Sequence, residues 1–470
     1  MLPRITRLPI ALTVLLSALG CTSGEAPPLN PNVPKNLLFV VFDTTRVDHL
    51  NAFGYGARPT SPRLDELAQG GLLLERAYSH SSLTPVSAGS FLTGVLPHRH
   101  GIRSLFTIGE ETLQEDVPSL FGMLGEAGRA TAGFVSAKPM GSHYGLNRGF
   151  QVYEDDMTGT KDAFAIERFA DAPQRPGDVT TGLALDWLDS NGQSPFAMMV
   201  HLFDAHDLSF LPPRKFVDRH LSFALPETVQ RRGDGFQPKS IEQLVELYDM
   251  EIRFTDRQLA RLLKKLDELG VREETLVVLL ADHGEAFGEH NNFTHGWLYE
   301  EQLRVPLVLN GPGIPVGQRL SSRVRLVDLL PTLAQVFDLP LPEGLDGESF
   351  LGLVGDPLAA DRDLYAEVHH APRDPRGRES QMFSLISKDW KYIHHPESGL
   401  HELYSLKTDP QELDNRFGNE GQIALELLGQ LLKSGALGGG MVNLDGLSEQ
   451  QVRELQALGY LGDVDEDPPK

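Results

Sequence analysis

Residues 37–42 read Leu37-Leu38-Phe39-Val40-Val41-Phe42, and Asp43 closes this unbroken apolar run with a charge. A strand that is apolar at every position has no face left for water, which suits the centre of a parallel sheet covered on both sides by helices. Comparable runs recur at Ala130 to Ser136, Phe196 to Leu202, Thr275 to Ala281 and Val305 to Asn310. Helical patterns fall between or after them, at Ser61 to Gly70, Val117 to Gly128, Asp178 to Asn191, Ser240 to Gly270 and Leu326 to Phe337. The alternation predicts an α/β fold with a doubly wound, mainly parallel sheet over residues 37–355, with ligands bound at the carboxyl ends of the strands. After about Gly355 the pattern changes to Gln381 to Ile386, Trp390 to His394 and a helix from Gln422 to Lys433. These predict a smaller α+β subdomain over 356–434; residues 435–470 read as a flexible segment, a short helix from Ser448 to Leu458 and an acidic tail.

Two of the strand ends carry chemistry. Asp43 ends the first run, and Thr275 to Ala281 leads into Asp282-His283-Gly284-Glu285. Carboxylates brought to one sheet edge repel each other unless a cation sits between them. A divalent metal held by Asp43, Asp282, His283 and the oxygen of Thr84 resolves the conflict, and a nitrogen donor with low coordination favours Mn²⁺ or Zn²⁺ over Ca²⁺. Thr84 opens the run Thr84-Pro85-Val86-Ser87-Ala88-Gly89-Ser90-Phe91-Leu92-Thr93-Gly94. Thr before Pro is a helix-opening pair, so Thr84 reads either as a helix cap or as a nucleophile in the field of a helix N-terminus. A bound metal would lower the pKa of that alcohol.

Together these segments resemble the sulfatase family of the alkaline phosphatase superfamily, over nearly the whole chain after its first segment. The resemblance is carried by Asp43 with Arg46 and Asp48, Leu92-Thr93-Gly94, Pro97-His98 with His100-Gly101, and Asp282-His283-Gly284-Glu285. It continues in His201-Leu202-Phe203-Asp204-Ala205-His206, Leu298-Tyr299-Glu300-Glu301 with Arg304-Val305-Pro306-Leu307, Glu402-Leu403-Tyr404 with Asp409-Pro410, and Leu458-Gly459-Tyr460-Leu461. The resemblance implies metal ligation by Asp43, Asp282 and His283 and a nucleophile at Thr84. It implies that His206 contacts the substrate's anionic group or leaving oxygen, and that His295 takes the place of a substrate-binding lysine or histidine. His295 would then be placed to donate a proton to the leaving alkoxide. His290 and Lys138 are further candidates for substrate binding, each with the alternative of an ordinary structural or solvated side chain.

The sequence also departs from that family. Sulfatases carry Cys, or less often Ser, at the nucleophile position within Cys-x-Pro-Ser-Arg and oxidise it to formylglycine; here Thr84, Val86, Ser87 and Ala88 stand there, so only the Ser is kept. The same oxidation cannot act on threonine, whose β-carbon already carries a methyl, and no formylglycine is expected. Thr44 replaces the second Asp of the calcium-binding members. Relatives acting on phosphate and phosphonate esters use Thr here. The expectation is therefore a metal-dependent hydrolase acting through a Thr84 alkoxide, on a phosphate or phosphonate ester in preference to a sulfate. Two alternatives stand beside it: a transferase of the phosphoglycerol or phosphoethanolamine type, and a non-catalytic binding protein, for which Ala88 in place of Arg is the main support.

The 470 residues hold 42 basic and 65 acidic side chains, a formal charge of −23. That balance argues against nucleic acid as a partner and leaves room for a small or glycan- or lipid-linked anionic ester, since a metal and a local field outweigh distant charge. Arg4, Arg7 and the mostly apolar stretch from Leu8 to Leu19 read as a secretory signal over 1–20, too short for a membrane span. Cys21, the only cysteine in the chain, follows Gly20 as in a lipoprotein cleavage box, and residues 21–36, with Pro27, Pro28, Pro31 and Pro34, read as an extended tether. The expectation is export and attachment to a bacterial membrane through a lipid on Cys21, on the periplasmic or cell-surface side. Loops from Leu208 to Arg219 and Asp361 to Arg378 are expected to rim the cleft.

Overall fold

The computed structural model describes residues 33–105, 111–157, 174–206, 211–225, 238–356, 359–370, 381–435 and 437. The signal, Cys21, most of the tether and the closing helix expected at Ser448 to Leu458 lie outside the described residues.

The apolar run at the start becomes the middle of a nine-stranded sheet. In chain order the strands are β1 (Asn36–Phe42), β2 (Leu72–Tyr78), β3 (Ala130–Val135), β4 (Val152–Glu154), β5 (Phe196–Leu202), β6 (Thr275–Leu280), β7 (Arg304–Asn310), β8 (Gln318–Leu320) and β9 (Val324–Arg325). They lie in the order β4-β3-β5-β1-β6-β7-β2-β8, with β9 also paired to β2. The helices are α1 (Pro62–Gln69), α2 (Thr84–Thr93), α3 (Pro97–His100), α4 (Leu120–Glu126), α5 (Gly177–Asn191), α6 (Arg214–His220), α7 (Ile241–Leu269), α8 (Glu300–Leu303), α9 (Leu329–Val336) and α10 (Gly421–Lys433). Among the described residues no helix is long and apolar enough to cross a membrane.

β1 shows why its sequence has no polar position after Asn36. Leu37, Phe39 and Val41 pack in one core with Phe91 of α2 and Leu120, Phe121 and Leu124 of α4. Leu38, Val40 and Phe42 point the other way, into a core with Leu64 of α1, Ala184 and Leu188 of α5, and Tyr248, Ile252 and Leu259 of α7. Alternate residues face opposite sides of a strand, so covering both sides requires an apolar residue at every position.

The expected mainly parallel sheet is present, with one reversal. β3, β4, β5, β1 and β6 run parallel, but β7 pairs antiparallel with both β6 and β2. β2 itself was not expected, because Glu75 and Arg76 interrupt its apolar pattern. They sit at a register shift between Leu74 and Ala77, where a bulge turns consecutive side chains out of the regular alternation.

The smaller sheet has the strands β10 (Leu364–His369), β11 (Gln381–Ser387), β12 (Trp390–His395) and β13 (Leu400–Ser405), all antiparallel and in chain order. Its outer strands β10 and β13 are additions to the segments that the sequence suggested. One face packs on α10 through Phe383, Leu385, Tyr392, Leu403, Leu425 and Leu428. The other joins the main core through Leu364, Ala366, Val368, Met382 and Ile393. Glu367, with no exposed surface, receives Nε and Nη2 of Arg103 at 2.6 and 2.8 Å, a two-pronged pair that ties the small sheet to the segment after α3.

Candidate active site

Asp43 and the Asp282-His283 pair follow neighbouring parallel strands, β1 and β6, and so emerge side by side at the same edge. One donor atom from each of Asp43, Asp282 and His283 lies within 4.8 Å of the others, and all three residues are buried. Asp282 Oδ1 accepts the backbone N–H groups of Thr44 at 3.2 Å and His283 at 3.0 Å, while Oδ2 is buried without a hydrogen-bond partner. Asp43 Oδ2 accepts from His201 Nε2 at 2.7 Å and from the Thr84 hydroxyl at 3.4 Å, and its Oδ1 is likewise unpartnered. His283 Nδ1 donates to the Gly284 carbonyl at 2.9 Å, which turns Nε2, 3.3 Å from Thr84 Oγ1, toward the carboxylates.

Burial, and then the charge of Asp282, push the Asp43 carboxyl well above its usual range. Burial alone would lower the His283 imidazole, but Asp282 and Asp43 raise it above its ordinary value. Two unpartnered carboxylate oxygens facing an imidazole nitrogen at strand ends fit a cation, because buried polar atoms are otherwise paired. The donors present are two carboxylates, one imidazole and one hydroxyl. Thr44 does not add to them: it lies in left-handed backbone at φ 50° and its hydroxyl donates to the Asp43 carbonyl at 2.9 Å. That conformation is uncommon outside glycine, and Tyr248 of α7 clamps it, donating to the Thr44 carbonyl at 2.5 Å while accepting from the Arg46 N–H at 2.8 Å.

The reading of Thr84 as a helix cap is corrected by the structure. Leu83 is the cap residue of α2, its carbonyl accepting from the Ser87 N–H at 3.0 Å, and Thr84 is the first helical residue. Its hydroxyl is therefore free of the capping role and faces the carboxylates. Ser87, the retained member of the family's nucleophile motif, donates to the Asp282 carbonyl at 2.8 Å and accepts from Ser79 Oγ at 2.9 Å. It pins the start of α2 to the end of β6. Ala88, where an arginine was expected in relatives, is fully buried in the core.

His295 and His206 come to the same place as the ligands. The His295 ring centroid lies 4.6 Å from His283 and 4.8 Å from His206, and His206 stacks on Phe203 at 3.9 Å. Burial and then the neighbouring His295 hold His206 well below the ordinary imidazole range. His295 Nδ1 pairs with Glu285 Oε2 at 3.0 Å, and Glu285 Oε1 accepts from the Ala286 N–H at 3.0 Å. Arg46 donates to the Glu285 carbonyl at 3.1 Å and pairs with Glu289 at 2.8 Å, which anchors this loop to the end of β1.

His290 does not join them. Its ring stacks on Tyr299 at 3.7 Å, and it belongs to a separate group with Glu301 and Glu412. The buried Lys391 ammonium already stands 2.8 Å from Glu412 there. Lys138 opens a 3-10 turn over Lys138–Met140 that packs against α2, and it is half-buried. Of the loops expected to rim the cleft, residues 207–210 and 371–380 lie outside the described residues.

His201 and Glu285, quoted only as parts of longer motifs, and Tyr248 were given no role from the sequence. His201 carried the readable signal: it is a histidine in the otherwise apolar run Phe196 to Leu202. Its register partner is Val41, two residues before Asp43, and a buried imidazole there needs a polar partner.

Comparison with known proteins places this geometry. The family model described as Sulfatase matches residues 35–339, and one described as the C-terminal part of N-sulphoglucosamine sulphohydrolase matches 288–434. Arylsulfatase K of Homo sapiens is 30% identical over 190 residues, covering 38% of this chain and 34% of that protein. The chain thus spans about a third of the length of the arylsulfatase K relatives it matches. N-acetylglucosamine-6-O-sulfatase of Bacteroides thetaiotaomicron is 22% identical, covering 87% of both proteins. A structure solved with its substrate D-glucosamine-2-N,6-O-disulfate superposes with a TM-score of 0.71 at 19% identity, covering 89% of this chain and 99% of that one. The phosphonate monoester hydrolase of Agrobacterium radiobacter gives 0.69 at 19% identity, covering 85% and 95%. At these identities both structures speak for the fold alone.

Proposed function

The chain belongs to the sulfatase family, whose model spans residues 35–339, and from that premise we propose that this ester hydrolase removes sulfate from a sulfated sugar. The observation that carries the reading is the set of unpartnered oxygens on Asp43 and Asp282, facing His283 and the Thr84 hydroxyl at one edge of the sheet. The expectation of a phosphate or phosphonate ester opened by a Thr84 alkoxide is overturned. Both family models are those of sulfatases, and a relative matched over 87% of both proteins is N-acetylglucosamine-6-O-sulfatase. One substituted residue is a weaker guide to substrate class than a match over that much of the chain.

Asp43, Asp282 and His283 would hold the divalent cation with Thr84 at its open side, and two carboxylates with an imidazole favour Mn²⁺ or Zn²⁺ over Ca²⁺. A bound cation would neutralise charge on the ester oxygens. The protein's own groups supply the rest. Water takes up the sulfuryl group as the sulfur–oxygen ester bond breaks, and Glu285 orients His295 through Nδ1 so that the other ring nitrogen delivers a proton to the departing sugar oxygen. His206, held flat against Phe203, forms the adjoining wall. Export through the first 20 residues and lipid attachment at Cys21 would put the site outside the cytoplasm, where sulfated glycans are met.

The test is sulfate release, followed by ion chromatography, from 2-O- and 6-O-sulfated sugars with Mn²⁺, Zn²⁺ or Ca²⁺ added to metal-stripped protein. Release that depends on Mn²⁺ or Zn²⁺ and falls in Asp282→Ala is the expected result. No release above that of Asp282→Ala from any sulfated sugar would sink the reading. For the anchor, Cys21→Ala is expected to move the protein from the membrane fraction to the soluble one.

A further inference from the structure

A basic site lies apart from the metal ligands, toward the same edge of the main sheet. Phe53, Glu75, Arg76, Arg304, Arg319 and Ser321 line a cavity of about 500 Å³, within the size range of small-molecule sites. It exists because of two local irregularities. The bulge in β2 turns Glu75 and Arg76 outward, and at the same level the partner changes from β8 to β9, leaving Ser321 between them unpaired to the sheet. Arg304 is the first residue of β7. Since β7 runs against β6, with Leu307 opposite Leu280, Arg304 stands beyond the carboxyl end of β6, on the side where Asp282 and His283 emerge.

Each of the three guanidiniums is fixed on one side and open on the other. Arg76 Nε donates to the Ser321 carbonyl at 2.7 Å and its Nη2 pairs with Asp361. Arg304 Nε and Nη2 both donate to the Glu75 carbonyl, at 3.2 and 2.8 Å. Arg319 Nε pairs with Glu75 Oε1 at 2.7 Å and its Nη2 donates to the Ala52 carbonyl at 3.0 Å. Among the described residues the Nη1 of all three has no hydrogen-bond partner. Among the described residues the only ion-pair partners of these three cations are Glu75 and Asp361, so the group is net positive on a chain whose formal charge is −23. Guanidiniums already immobilised by backbone carbonyls lose little freedom when an oxyanion arrives, and their planar donors suit sulfate oxygens.

We propose that Arg76, Arg304 and Arg319 form a subsite for a sulfate group on a second sugar of a polysulfated chain, away from the ester being cleaved. It takes from the catalytic reading only the class of ligand, and binding can be measured without turnover. The experiment is calorimetric titration of the metal-loaded, full-length protein with a heparin octasaccharide and with the same octasaccharide chemically desulfated. Arg319 is half-exposed, so Arg319→Glu reverses the charge with little risk to the core, and Arg319→Gln removes it without reversal. The sulfated fragment is expected to bind Arg319→Glu roughly tenfold more weakly than wild type, the scale of losing a hydrogen bond to a charged group. Arg319→Gln should fall between, while hydrolysis of a monosulfated sugar stays at the wild-type rate. Unchanged affinity in both variants, or an equal loss for the desulfated fragment, would overturn the assignment. If wild type releases no sulfate from any sugar and Arg319→Glu still weakens binding, the catalytic reading fails and the subsite stands.

Discussion

Replacing His201 with phenylalanine should weaken metal binding without emptying the core. The imidazole has no exposed surface, and its Nε2 donates to Asp43 Oδ2 at 2.7 Å, leaving Oδ1 for the cation. A buried hydrogen bond to a charged group contributes about 1.5–3 kcal/mol, which at about 1.4 kcal/mol per decade is a ten- to hundredfold loss of affinity. Loss of a partner that orients a metal-ligating carboxylate typically has the same effect, about 10–100-fold. The consequence for stability follows by linkage. With metal at a thousand times the wild-type dissociation constant, binding adds about 4 kcal/mol to unfolding, and a hundredfold weaker site leaves roughly 1.4 kcal/mol. Phenylalanine fills the ring's volume, but it also leaves the Ser136 N–H without its 3.4 Å contact to Nδ1. That cost is present in the metal-free protein and cancels when each variant is compared with and without metal. Urea unfolding of wild type and His201→Phe, stripped and reloaded with Mn²⁺, gives the double difference, and competition with a chelator gives the affinity directly. A variant that loses stability equally in both states and binds metal as wild type does would refute the reasoning, reducing His201 to a space-filling ring.

Further outcomes follow from other parts of the molecule. His295→Asn should lower turnover of alkyl sugar sulfates by about 10²–10⁴-fold yet barely affect an aryl sulfate whose phenolate leaves unaided; Glu285→Gln should show the same pattern, smaller. Equal losses on both substrates would remove the proton-donor role. Burial lowers the imidazoles of His80 and His401 to about 4 and of His100 and His394 to about 3. Each stays neutral in the fold while its unfolded counterpart protonates near 6.5, so stability is intact above that pH and falls as pH drops toward 4, by up to about 1.4 kcal/mol per unit per group. Asp256, Glu301 and Glu412, which burial raises to about 7, 7 and 8, pull the other way between pH 7 and 5, so the check is wild type against His394→Phe, and a urea midpoint with the same pH dependence in both would contradict this. Arg103→Met leaves Glu367 buried without its two-pronged partner and should cost about 3 kcal/mol; Arg103→Met with Glu367→Gln should recover much of it, and no recovery would mean that the pair is not the source.

How far the sequence could be read depended on how each residue announces its surroundings. β1, β5 and β6 were legible because a strand buried on both sides is apolar almost throughout, His201 being the exception in β5, and the charges that end such strands mark the sheet's active edge. β2 was not, because the pair Glu75-Arg76 breaks the pattern of a strand that tolerates them only through its bulge. Asp43, Asp282, His283 and Thr84 converge as expected, since adjacent parallel strands deliver their ends together. The role of Thr84 as a cap did not survive: cap preferences describe isolated helix ends, whereas here Leu83 takes the position and frees the hydroxyl. His290 illustrates the converse limit. It is close in sequence to His295, but its left-handed backbone at φ 50° sends the ring to Tyr299 instead. The substrate preference drawn from Thr84 failed for a related reason, since one side chain reports its immediate chemistry and not the leaving group several ångströms away.

The reversal at β7 has an outcome for how such a protein can be altered. Because β6 and β7 are antiparallel neighbours, the chain between Leu280 and Arg304 departs from and returns to one rim, with Gly284 and Gln302 hydrogen-bonded at its neck at 2.8 Å. His283, Glu285, His290, His295 and Tyr299 all travel on that single excursion. Its length and content can therefore change without disturbing strand order, and a graft of this segment above the neck between related enzymes has to keep its anchors to Arg46, Glu402 and Glu412. In such a chimera Asp43, Asp282 and His283 would stay with the host while Glu285 and His295 came from the donor, separating the inheritance of the carboxylate cluster from that of the paired imidazole.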